Sequence, residues 1–117
     1  MRKEIEQRLI QLSLKINRVC KSLDHDFLSH HIAKQVIRSS TSAALNYGEA
    51  QAAESRKDFI HKISIVLKEL RETKISLILL EDSIKNSLIN DVKWCLSECD
   101  QMVAIFHKTV ETARSKL

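Results

Sequence analysis

IEQRLIQLSLKINRVCKSL, Ile5–Leu23, carries apolar residues at Ile5, Leu9, Leu12, Ile16, Val19 and Leu23. The steps alternate between four and three. On a helix of 3.6 residues per turn they fall on a single stripe, whereas a strand would scatter them over both faces. The same rhythm returns three more times along the 117 residues. A helix over 27–53 carries Leu28, Ile32, Val36, Ser40, Ala43 and Tyr47. A helix over 56–83 carries Phe59, Ile63, Val66, Leu70, Leu77 and Leu80. A helix over 90–116 carries Val92, Cys95, Cys99, Val103, Phe106, Val110 and Ala113. With the first helix over 2–22, these make four amphipathic helices joined by short polar loops. The expected fold is all-α, an up-down-up-down four-helix bundle in a single domain spanning 1–117.

Composition supports this. The chain has no proline and one glycine, Gly48, too few for the tight turns of an all-β fold. Asp24–Asp26 offer a carboxylate cap to the second helix, and Ser55 with Asp58 reads as a capping box opening the third. Ser87 or Asn90 is the expected cap of the fourth. Gly48 costs a helix interior about 1 kcal/mol against alanine. Its expected compensation is a close backbone approach or a local bend, within a run of small residues that predicts a tight crossing. The tail Ile75–Leu80 is apolar nearly all round, which implies a second burial surface and so self-association.

The chemistry that could make this an enzyme is missing from the pattern. Ser39, Ser40 and Ser42 lie mid-helix with no histidine near them in sequence, and one glycine cannot form a phosphate-cradling loop. The five histidines (His25, His30, His31, His61, His107) give one loose carboxylate–His spacing, Asp58–His61, where a di-metal bundle needs two Glu-x-x-His pairs. Cys95 and Cys99 sit one turn apart on the buried stripe, where cysteine acts as a small hydrophobe. No cofactor or metal is expected. The charged N-terminus MRKEIEQRLI lacks the apolar core of an export signal, and the odd cysteine count suits free thiols. The longest apolar run, Leu77–Leu80, is far short of a membrane span. A cytoplasmic setting with no membrane contact is expected.

Net charge is +4. Residues 2–21 carry six basic and two acidic groups, and residues 56–74 carry six against three. In an up-down bundle the start of the first helix, the start of the third and the end of the fourth share one end of the rod, which should be mildly positive. Candidate phosphate contacts are Arg38, Arg56, Lys57, Lys62, Lys68, Arg71 and Lys74. Arg38 and Arg71 double as candidate ion-pair partners of Glu72 and Glu49, and the plainer reading has Lys68 balanced by Glu72 one turn on.

The stretch IRSSTSAALNYGEAQAAESRKDFIHKISIVLKELRETKISLILLEDS, Ile37–Ser83, resembles the signature of the bacterial four-helix-bundle proteins of the 23S rRNA intervening-sequence type, to which the accessory variability protein of diversity-generating retroelements is related. The resemblance rests on Arg38-Ser39-Ser40, Asn46-Tyr47 with Glu49-Ala50, Glu54-Ser55 before Asp58-Phe59-Ile60, and Leu67-Lys68-Glu69 before Arg71-Glu72-Thr73. It implies a homopentameric ring without catalysis, whose basic surface binds structured RNA or a protein–RNA complex. Five copies would carry about +20 together. The competing expectation is a structural or adaptor bundle that binds another protein through its apolar excess.

Overall fold

The structure, a computed structural model, describes residues 2–24 and 26–117; His25, one of the histidines weighed above, lies outside them. Four helices follow one another: α1 Arg2–Lys21, α2 Phe27–Gln51, α3 Arg56–Leu79 and α4 Ile89–Ser115. Two 3-10 turns, Glu81–Ser83 and Asn86–Leu88, link α3 to α4. Each helix packs on its chain neighbour and α4 returns to α1, closing a rod 47 Å long. The α2–α3 seam is the most extensive and the α1–α4 seam the least.

The α1 stripe is buried as its spacing requires: Leu9, Leu12, Ile16 and Val19 lose all exposure, and Ile5 and Leu23 nearly all. Burying side chains of this size stabilises by about 1.5–3 kcal/mol each. All of the stripe but Val19 joins Ile63, Val66, Leu70 and Leu77 of α3, Val36 and Ala43 of α2, and Cys95, Cys99, Met102 and Phe106 of α4 in one core. Tyr47 and Phe106 join α2 to α4 through tilted rings 5.6 Å apart. Desolvation pushes the thiols up to about 11 for Cys20 and about 12 for Cys95 and Cys99. Such cysteines stay protonated and inert near neutrality.

Local expectations hold at two N-caps, the Ser55 box only in its serine half, and fail at other points. Asp26 Oδ1 accepts from Ser29 N at 2.8 Å, and Ser55 Oγ accepts from Asp58 N at 3.0 Å. The inward position in the first turn of α2 differs by one residue, while Ile32, Val36, Ser40, Ala43 and Tyr47 are buried as expected. Ser29, not Leu28, turns inward, where its hydroxyl shares a 2.6 Å bond with Ser83, while Leu28 remains 51% exposed. Met102 rather than Val103 fills the α4 stripe completely. Neither Ser87 nor Asn90 caps α4; the N-cap is Leu88. The preceding 3-10 turn already engages the entering N–H groups, with Leu88 N donating to Lys85 O at 2.8 Å. α2 ends at Gln51, two residues early, and α3 gives way to its 3-10 turn after Leu79.

The small-residue crossing forms through Ser39, Ser40, Ala43 and Ala50, all buried. Ser39 Oγ and Thr73 Oγ1 share a 2.7 Å bond across the α2–α3 seam. Gly48 takes no part in it. It is exposed, and a Cβ there would meet nothing within 4 Å.

Two nearly buried glutamates tie the seams. Glu69 of α3, its side chain 4% exposed, accepts from Arg38 Nη1 of α2 at 2.8 Å; Arg38 Nη2 also donates to Glu72 at 2.7 Å. Glu98 of α4, 8% exposed, takes a two-pronged contact from Arg8 of α1 at 2.7 and 3.1 Å. Lys15 adds a bond to Asp91 at 3.4 Å and lies 4.5 Å from the Trp94 ring centroid.

Two outcomes follow. Gly48→Ala should raise stability in urea unfolding by about 0.5–1 kcal/mol, because the methyl meets open space and the unfolded chain loses freedom. Arg38→Met should lower it by about 1–3 kcal/mol, since Glu69 keeps its burial and loses its donor; the half-exposed guanidinium keeps the figure modest. The Arg38 hydrogen bond holds the Glu72 carboxyl below its ordinary value. That contribution is therefore complete at neutral pH and disappears as pH falls through the folded value. In Arg38→Met the acid limb of the stability curve should be flatter than in wild type. Equal slopes would show that the pair adds nothing to folding.

Candidate nucleic-acid interface

The seven candidate cations divide by what they touch. Arg38 is committed to Glu69 and Glu72. Lys62 reaches back to Glu49 of α2 at 3.2 Å, so Glu49 pairs with neither Arg38 nor Arg71. Lys74 pairs with Asp100 of α4. Arg56 Nη1 donates to the main-chain oxygen of Lys116 at 2.7 Å. Lys57, Lys68 and Arg71 form no salt bridge among the described residues. Glu72, offered above as the partner of Lys68, is taken by Arg38. Arg38 donates to Glu72 from across the seam at 2.7 Å, while Lys68 acts on it through its nearby charge without a salt bridge.

The three unpaired cations share one side of α3. Lys57, His61, Lys68 and Arg71 are exposed and recur at helical spacing. From Lys57 to Arg71 the row climbs roughly 21 Å at 1.5 Å per residue.

Its lower end adjoins an open cleft of about 860 Å³, between the end of α2, the start of α3 and the end of α4. Arg2, Arg56, Lys108 and Lys116 line it, with Phe59, Ile105 and alanines from three segments beneath, and no acidic residue takes part. The expected meeting of helix ends is the reason for this collection. Arg2, Lys108 and Lys116 were not among the candidate contacts, although adding the charges of the three converging ends would have found them.

The opposite end of the rod differs in kind. Ile75, Ile78 and Leu79 of α3 are exposed, as are Leu28 and the 98% exposed Phe27 of α2. Asp24, Asp26, Glu81 and Asp82 stand in the connections there. The apolar width of Ile75–Leu80 divides cleanly, since Leu77 and Leu80 are fully buried and the other three isoleucine and leucine side chains face out.

Among the described residues, no group of three or more His, Cys, Asp or Glu stands close enough to hold a metal ion. Nor is any helix there long and apolar enough to cross a membrane.

No curated protein matches the chain. A crystal structure of a protein of unknown function from the S23 ribosomal protein family of Bacteroides thetaiotaomicron VPI-5482 has the same fold. Its TM-score is 0.78 at 27% identity, covering 91% of this chain and 97% of that one. The family model described as 23S rRNA-intervening sequence protein matches residues 2–108. With nearly the whole bundle inside that match, the chain belongs to the 23S rRNA-intervening sequence protein family.

Proposed function

We propose that this protein acts by binding rather than by catalysis, as a homo-oligomer that engages structured RNA, such as a ribosomal RNA helix, or a protein–RNA complex. The observation that carries the reading is the row Lys57, Lys68 and Arg71. These are three cations left without carboxylate partners on one exposed side of α3, in a chain whose seam cations are otherwise neutralised. Phosphates recruit such groups by releasing condensed counterions. A-form RNA is recognised largely through backbone and shape, which a charged row on a rigid helix can follow. Arg38, Lys62 and Lys74 are secondary contacts here, because each would have to leave a carboxylate.

The apolar end supports self-association. Ile75, Ile78, Leu79, Phe27 and Leu28 form a surface that water covers poorly. The homopentameric ring implied by the sequence resemblance would bury it. The same surface favours a second reading, an adaptor that docks another protein there and has no nucleic-acid role.

The test is RNA affinity across a salt series, with oligomer mass read in the same buffer. Lys57→Gln/Lys68→Gln/Arg71→Gln should weaken binding at least tenfold and reduce the log–log salt slope by roughly two to three units. Helicity and mass should not change. Wild-type affinity in the triple variant would remove the α3 row as the interface. An unassociated wild type that binds no RNA even at low salt would leave the adaptor reading.

A further inference from the structure

The end cleft differs from the charged helix seams of the molecule. Elsewhere, cations at the helix seams meet carboxylates: Arg8 with Glu98, Lys15 with Asp91, Arg38 with Glu69, Lys62 with Glu49, Lys74 with Asp100. In the cleft, Arg2, Arg56, Lys108 and Lys116 converge with no acid in the lining. Arg56 is anchored, but by a neutral main-chain oxygen. That bond uses one donor of five and cancels no charge, and Arg56 makes no salt bridge among the described residues.

Beneath the cations the lining is apolar. Phe59 and Ile105 are partly buried and packed on the core, so they form a fixed floor. The volume of about 860 Å³ falls within the range of ligand sites, about 300–1,000 Å³. A cation rim over an aromatic and aliphatic floor suits an anion joined to a flat, weakly polar body. A bare phosphate would leave the floor unused. A paired duplex cannot present a base face there, because its bases are stacked inside.

The geometry points to this cleft as a seat for one unpaired nucleotide, with its phosphate held by Arg56, Lys108 and Lys116 and its base resting on Phe59 and Ile105. The source of the nucleotide rests on the RNA reading above; the fit rests on the cleft alone. Bound this way, the protein prefers RNA with a single-stranded end, loop or bulge beside a helix. The α3 row follows the helix and the cleft takes the neighbouring unstacked base.

Two RNAs test it: a blunt hairpin, and the same hairpin with a short single-stranded 3′ extension. The extension should increase affinity about tenfold, the effect of seating one base. Thr112→Trp, at an exposed position lining the cleft, would fill the seat and keep every cation. It should abolish the gain and leave blunt-hairpin affinity unchanged. Equal affinity for the two RNAs, or a gain that survives Thr112→Trp, would overturn the cleft assignment while the α3 row stands. If neither RNA binds, the RNA reading fails and a nucleoside monophosphate decides the cleft. Shifts of the Phe59 and Ile105 NMR signals, larger than inorganic phosphate produces, would uphold the seat, and shifts no larger than those would end it.

Discussion

A carboxylate removed from water must find a donor, and this bundle is organised around two that do. Glu69 and Glu98 sit on α3 and α4, where apolar neighbours would otherwise seal the interface. Each is met by an arginine from the adjoining helix. Pairs of this kind contribute little net stability, because desolvation offsets most of the attraction. What they contribute is register. If α2 slid by one turn along α3, Arg38 would miss Glu69 and leave a charge stranded. The same holds for α1 and α4 through Arg8. The apolar stripes tolerate sliding far better, since one leucine replaces another. The stripes therefore make the bundle, and the two arginine–glutamate contacts set its alignment.

That alignment determines which cations remain free. Arg38 cannot hold Glu69 and Glu72 and also serve a phosphate without cost, and Lys62 and Lys74 are held more loosely by exposed partners. Lys57, Lys68 and Arg71 are left facing out. The basic surface is in this sense a remainder: it consists of the charges that the seams do not consume, and its shape follows from where the seams lie.

The α1 stripe could be read residue by residue, because six apolar positions in strict four–three order fit only one helix face. The N-cap of α2 was equally legible, since an aspartate before a periodic run has a definite bonding role. Leu28 was misplaced because its inward neighbour, Ser29, is turned in by a partner in a distant turn, Ser83. Gly48 suggested a close approach, and the approach is made by Ser39, Ser40, Ala43 and Ala50 instead. The α4 start lacked its expected cap because a 3-10 turn had taken over the same donors. Ion-pair partners were the least legible feature. Whether Glu72 takes Lys68 or Arg38 depends on the facing helix, and a single helix pattern carries no information about its neighbour's rotation. The end cleft was half visible: the meeting of helix ends was foreseen, but not the apolar floor beneath them.

The rod is unlike at its two ends, with Arg2, Arg56, Lys108 and Lys116 at one and Asp24, Asp26, Glu81 and Asp82 at the other. Set at opposite ends of a 47 Å axis, and with Lys21 and Lys85 offsetting part of the acidic end, these charges leave a field whose effect extends beyond the first shell of contacts. A polyanion exerts a torque on such a body before touching it, within about a Debye length, or roughly 8–10 Å in physiological salt. Under the RNA-binding proposal, the basic end would lead during encounter and a larger share of collisions would begin in a productive orientation. Raising the salt erodes this advantage in the rate of arrival even where the final contacts are unchanged.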